Sequence, residues 1–240
     1  MLGLLDWVFI SIFGVFCVLD FVVHPRAFPQ MPFWRLRGVA FFIVYFFLAG
    51  YSPLLWDSLL GQYSLMSAAA LPLWAQIIGG FFLVELGTYA YHRTVHNVDF
   101  MWRHSHQTHH SAERMDAWST FIFHPIDTVI FTLLGSLALV WIFGVSATAA
   151  IAINLFIFFL NVWQHANIKT PQWIGYLVVR PESHSLHHQR GVHAYNYCDF
   201  PLIDMMFGTF KNPRTWDGEA GFFEGASSRI WSLFIGKKLA

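Results

Sequence analysis

The chain has 240 residues, of which 56% are hydrophobic and 12% charged, whereas about a quarter of the residues in a soluble domain are charged. With a positive mean hydropathy as well, this composition excludes a water-soluble globular domain and points to an integral membrane protein. The 14 Lys and Arg balance 14 Asp and Glu, so no bulk attraction for nucleic acid is expected.

Five apolar runs, at 2–23, 38–56, 72–91, 126–143 and 147–164, reach or approach the roughly 17 to 25 helical residues that cross a bilayer. The first lacks a basic leading segment and a small-residue cleavage site, so it reads as a helix and not as a cleaved signal. The last two are separated only by a short turn around Gly144 and Ser146 and should form a tight helical hairpin. A polar, histidine-rich stretch (92–125) lies between the third and fourth runs, and 165–240 follows the fifth. Cys17 and Cys198 are far apart in sequence and carry no redox signature. The expected fold class is all-α, an integral membrane bundle of four to five transmembrane helices.

All fourteen basic residues fall after the first, third and fifth runs: Arg26, Arg35 and Arg37; Arg93, Arg103 and Arg114; and eight from Lys169 to Lys238. Short loops rich in Lys and Arg stay cytoplasmic. Five crossings with an outside N-terminus and a cytoplasmic tail are therefore expected, in an inner or endoplasmic-type membrane. The alternative is an even number, with the first run lying in the interface.

Twelve of the thirteen histidines lie between 92 and 193, on the side assigned to the cytoplasm. His92 and His96 are four apart and share a helix face. HQTHH (106–110) and HSLHH (184–188) repeat one spacing, in which the first histidine meets the others at i+3 and i+4. Each helix should then present three imidazoles to one point, and His165 at the end of the fifth run makes a ninth donor. Imidazole is the commonest protein metal ligand, and nine nitrogens exceed what one ion uses. A cytoplasmic helical cap holding two metal ions, with four or five nitrogens each, is the reading. His24 and His104 are expected away from the metal, and His193 near the site without binding. His124, before Pro125, is either a ligand or a supporting residue.

HRTVH (92–96), HQTHH (106–110), QHANI (164–168), HSLHH (184–188) and NYCDFPLIDMMFGTF (196–210) together resemble the fatty acid hydroxylase and sterol desaturase superfamily of membrane di-iron oxygenases. The resemblance covers about 85–211, within a single membrane domain over 1–240. It implies that His92, His96, His106, His109, His110, His165, His184, His187 and His188 bind two irons, with O2 as co-substrate. Cys198 stands where the family usually has Gly, and Ile203 where a Trp commonly precedes the Asp corresponding to Asp204.

The implied chemistry agrees with the donor set. Attack on an unactivated C–H bond requires a redox metal with open positions, which zinc does not provide. The Glu-x-x-His pairs of soluble di-iron bundles and the HExxH of zinc hydrolases do not occur in the chain. A haem carrier is poorly served by i, i+3, i+4 clusters. A metal transporter would place ligands along a path at mid-membrane, where the helices are nearly bare of such groups apart from Glu85 and Asn154. Acidic residues are expected to orient imidazoles: Glu85, on one face with Tyr89, His92 and His96, is the first candidate. Asp127, Asp199 and Asp204 follow, and Glu85, His124 and Asp204 are taken forward as catalytic-site candidates. The expected reaction is hydroxylation of a membrane lipid near the cytoplasmic interface, where Trp102, Trp118, Trp163 and Trp173 would form a belt. Desaturation of the same substrate class, or non-enzymatic metal binding or transport, are the alternatives. No flavin fingerprint or ferredoxin-type cysteine set occurs, so electrons should come from a separate cytoplasmic donor, a ferredoxin or a cytochrome b5-like protein with its reductase.

Overall fold

The computed structural model describes residues 2–239, all of them helix, turn or loop apart from one isolated bridge between Gln189 and Ala220. Helix α1 (Leu4–Val22) ends before Pro25, and α2 (Trp34–Tyr51) starts from Phe33 in a left-handed conformation, φ 55°. A 3₁₀ turn (Ser52–Leu55) and α3 (Asp57–Gln62) lead to α4 (Leu73–Asn97). Next come α5 (Asp99–Met101), a π-helical turn (Trp102–His106) and α6 (Gln107–His110). Helix α7 (Pro125–Ser136), with Pro at its first position, continues as a π-helix to Ile142, and α8 runs Ala147–His165. The short α9 (Pro181–His187), α10 (Pro201–Met206) and α11 (Ile230–Phe234) complete the chain.

Five helical segments, Leu4–Val22, Trp34–Leu55, Leu73–Asn97, Pro125–Ile142 and Ala147–His165, are long and apolar enough to cross a membrane. They match the five expected runs to within a few residues. Between 17% and 33% of each is buried, so most of their apolar side chains face outward. Water opposes an apolar surface of that extent, and lipid accepts it. The expected α7–α8 hairpin forms: Ser146 caps α8 by accepting from the Ala149 N–H (3.3 Å). Gly144 turns the corner at φ +61°, where an added Cβ would sit 2.1 Å from the Met66 carbonyl oxygen.

Aromatic packing holds the bundle beneath the histidines. Phe13 of α1 stacks on Phe42 of α2 (4.2 Å between centroids), and Phe121 stacks on Phe158 of α8 (5.0 Å) and on Tyr45 of α2 (4.2 Å). Offset stacked pairs of this kind add about 0.5 to 1.5 kcal/mol each beyond their buried area. A second cluster, Val84, Ala138, Leu139 and Ile153, joins α4, the π-helical continuation of α7 and α8. The loop after α1 is sewn into the histidine-bearing end by Arg26, which donates to Asn167 Oδ1 (3.1 Å) and Ser185 Oγ (3.0 Å) and to the carbonyls of Ala166 and Ile168.

Candidate metal centre

Nine histidines converge at one end of the bundle in two groups. His92, His96, His106, His110 and His187 form one; His109, His165, His184 and His188 form the other. Within each, the prospective ligand atoms lie within 4.8 Å of one another. The groups share a wall, where the His110 and His188 rings stack with centroids 4.0 Å apart.

The repeated motif does not send its three rings to one point. Helix α6 and the end of the π turn give the i, i+4 pair His106 and His110 to the five-histidine group and His109 to the other. Around α9 the assignment is reversed: the pair His184 and His188 enters the four-histidine group and His187 the five-histidine group. The reason is helical geometry, since consecutive residues project about 100° apart at 3.6 residues per turn. One HxxHH therefore straddles two sites; two copies facing each other give three rings to each, and His92 and His96 of α4 and His165 of α8 complete the groups.

The five-histidine group is aimed from behind. His92 Nδ1 donates to the Tyr197 carbonyl, His187 Nδ1 to the Tyr195 carbonyl and His106 Nδ1 to Asp127 Oδ2, each at 2.7 Å. These oxygens only accept, so each Nδ1 carries the proton and each Nε2 offers a lone pair. His110 Nδ1 lies 3.0 Å from His193 Nδ1. The Nε2 atoms of all five ligand candidates are buried with no hydrogen-bond partner among the described residues. Five orphaned nitrogens aimed at one point fit a metal ion and little else. In the second group His165, His184 and His188 bring Nε2 atoms to 3.0 and 3.2 Å of one another, close to the ~3.0 to 3.4 Å expected of neighbouring ligands ~2.1 Å from one ion. Burial first, and neighbouring imidazoles second, hold His110, His187 and His188 well below the usual histidine range. They are therefore neutral, the form that binds metal.

The acidic residues act differently from expectation. Glu85 is buried but touches no grouped imidazole: its Oε2 accepts from the Asp199 and Phe200 N–H groups (2.6 and 3.1 Å). Asp204 accepts from the Tyr197 N–H (3.0 Å) and Thr209 Oγ1 (2.6 Å), fixing the loop whose carbonyls hold His92 and His187. It is a positioning residue. His124 lies outside both groups, with Nδ1 capping α7 at the Ile126 N–H (3.1 Å) and Nε2 on the Phe234 carbonyl (3.2 Å). Asp199 accepts from Gln164 (2.7 Å). Asp127, ranked lower from sequence, is the carboxylate that orients an imidazole, and Tyr91 donates to its other oxygen (2.7 Å). Sequence reasoning missed Ser119, which is 2.9 Å from His165 Nδ1, and the Tyr195 and Tyr197 carbonyls, for which no side-chain signal exists. Trp102 is a wall of the site, 4.9 Å from His96 and 5.1 Å from His110 between centroids. Phe123 stacks on His109 at 4.2 Å. His193 stands beside His110 as expected, and His104 bonds the Phe100 carbonyl outside both groups.

A family model described as fatty acid hydroxylase matches residues 77–209, more than half of the chain. The chain belongs to the fatty acid hydroxylase family. The segment that matches this family contains all nine grouped histidines, together with Glu85, Asp127 and Asp204. The chain is similar to the ornithine lipid hydroxylase OlsE of Rhizobium tropici, 30% identical over 146 residues, 59% of this chain and 44% of that protein. It is also similar to sphinganine C4-monooxygenase 1 of Arabidopsis thaliana, 24% identical over 158 residues, 64% of this chain and 61% of that protein. Lathosterol oxidase of Homo sapiens is 26% identical over 213 residues, 87% of this chain and 65% of that protein. The chain thus spans about half the length of the first two relatives. No solved structure matches it.

Proposed function

We propose that this fatty acid hydroxylase family member is a membrane-bound di-iron oxygenase that hydroxylates a lipid C–H bond. The observation that carries the reading is the pair of adjacent all-histidine groups, five and four, built by two interlocked HxxHH motifs together with His92, His96 and His165. Iron bound there would supply activation of O2 by a redox metal with open positions. His92, His96, His106, His110 and His187 would hold one ion and His109, His165, His184 and His188 the other. The chain's own contribution is orientation and exclusion of water. Asp127 and the Tyr195 and Tyr197 carbonyls fix the rings, and Trp102 and Phe123 close the site against solvent.

Hydroxylation consumes one O2, two electrons and two protons, and yields the alcohol and one water. The electrons would come from a separate donor, a ferredoxin or a cytochrome b5-like protein with its reductase. The excess of basic residues on the histidine side supports a cytoplasmic site, and a lipid would enter laterally from the bilayer. Desaturation, which removes two hydrogens and yields two waters, is the second reading, favoured by the similarity to lathosterol oxidase.

The test is comparative lipid mass spectrometry of cells expressing wild type or His187→Ala under 18O2, with metal analysis of both proteins. A lipid heavier by one labelled oxygen, absent in the variant, with about two irons per wild-type chain, is the expected result. A species lighter by two hydrogens makes the enzyme a desaturase. No lipid difference in iron-replete, aerated cells overturns the oxygenase reading.

A further inference from the structure

The histidine-bearing end does not simply sit above the bundle. From Phe200 to Phe207 the chain climbs the side of α4. Phe200, just before α10, meets Phe81 and Phe82 (centroids 5.9 and 6.5 Å), whereas Phe207, just after it, stacks on Tyr89 at 4.9 Å. Phe82 lies ten residues before His92, which is about 15 Å along a helix rising 1.5 Å per residue. Helix α10 therefore runs beside the middle and second half of a segment long and apolar enough to cross a membrane.

Its outer face is apolar. Leu202, Met206 and Phe207 are exposed, as are Trp173, Tyr176 and Leu177 from the neighbouring 3₁₀ turn (Gln172–Tyr176) that packs on α10. Within 171–179 and 200–208 the sole charged residue is Asp204, which is buried. Charge returns beyond both ends of these segments, at the exposed Lys169 and Lys211.

A second observation concerns the backbone. In hydrocarbon every N–H must find an acceptor inside the protein. The four successive N–H groups that lead into α10 have one each: Tyr197 and Cys198 donate to Asp204, and Asp199 and Phe200 to Glu85. Pro201, the next residue, has no N–H. Two buried carboxylates thus satisfy this loop, buried at 197–199, from within the protein, so that no N–H leading into α10 depends on water.

We propose that α10 and the 172–177 turn are embedded in the leaflet on the histidine side, with phospholipid acyl chains covering their apolar face. The exposed apolar surface of α4 at Ile78, Phe82 and Leu86 continues into this face through the Phe82–Phe200 contact. Trp173 and Tyr176 are residues suited to the level between chains and headgroups. A soluble redox protein, confined to water, is excluded from this surface. The inference rests on the multi-pass membrane assignment and is independent of the metal and of the reaction.

The single substitutions Leu202→Cys, Met206→Cys and Trp173→Cys, with Glu219→Cys as an exposed reference outside the patch, are spin-labelled and reconstituted in phosphatidylcholine–phosphatidylglycerol nanodiscs. The unsubstituted protein, whose Cys17 and Cys198 are buried, serves as the labelling blank. Collision with O2 relative to a water-soluble nickel chelate is read by power saturation. The expected result is a ratio several-fold higher at 202, 206 and 173 than at 219. Nickel accessibility at 202 and 206 equal to that at 219 overturns the proposal and returns the face to water, where it would be open to a protein partner. Retention of the elution volume and melting temperature shows that each variant is folded, and metal content does not enter the reading.

Discussion

A histidine that binds metal through one nitrogen is aimed by whatever its other nitrogen touches, and loss of that contact typically costs 10- to 100-fold in metal affinity. His106 depends on Asp127, itself fully buried and shared with Tyr91. Asp127→Asn keeps the shape but offers a weaker, neutral acceptor. The five-histidine group should lose about tenfold or more in metal affinity, with a smaller change in melting temperature than Asp127→Ala, and competition against a chromophoric chelator measures it. Unchanged affinity in both variants would remove Asp127 from the site. The same burial makes the centre sensitive to acid. The folded values of His109, His110, His184, His187 and His188 are depressed by burial, whereas a free imidazole titrates near ~6.5. Below that pH the unfolded chain takes up protons that the folded site refuses. Stability is therefore fully present above ~6.5 and falls as the pH drops beneath it. Metal content and melting temperature should decline together in that window. Metal analysis and thermal unfolding across it check this, and a flat profile down to pH ~5 contradicts it.

At the scale of elements, the two histidine groups are supported unequally. In the five-histidine group the outward nitrogens of His92, His106, His110 and His187 all have protein partners. In the four-histidine group only His165 has one, at Ser119, while Nδ1 of His109, His184 and His188 is buried without a partner among the described residues. Rings oriented by fewer contacts bind metal less tightly. Stepwise chelation should release metal in two phases, and His184→Ala should abolish the earlier one while His92→Ala abolishes the later. A single phase, or the reverse assignment, would show the two groups to be equivalent or inverted. How much of this is legible in sequence follows from the type of contact. The five helices are legible because long apolar runs have no other use, and the nine histidines because spacing and family motifs mark them. The division of each HxxHH between two groups is not, since it depends on two short helices facing each other across the site. Nor are the carbonyls of Tyr195 and Tyr197, which reach His187 and His92 only because Tyr195 and Asn196 adopt positive φ of 73° and 47°. Glu85 illustrates the converse: its helix face is readable, but its partners, the Asp199 and Phe200 N–H groups, come from more than a hundred residues away.

For the whole molecule, the question is which side of the membrane the centre faces. An odd number of crossings places the 57–71 segment and the 143–146 turn opposite the histidines. In the structure these two segments do meet: the Leu65 N–H donates to the Trp141 carbonyl and the Ala68 N–H to that of Phe143. Neither segment carries a Lys or Arg, and all fourteen basic residues belong to the segments and helix ends on the histidine side. Basic residues in short loops are retained in the cytoplasm during insertion, and a reductant supplied by cytoplasmic metabolism would need the centre there. Gln62→Cys, exposed at the end of α3, should react with a membrane-impermeant maleimide added to intact cells. Glu219→Cys should react only after the membrane is opened. Three candidate spans, α4, α7 with its π-helical continuation, and α8, lie between the two positions, so labelling of both from the outside would mean that one of the three does not cross, and labelling of Glu219→Cys alone would invert the molecule and place its electron donor on the other side.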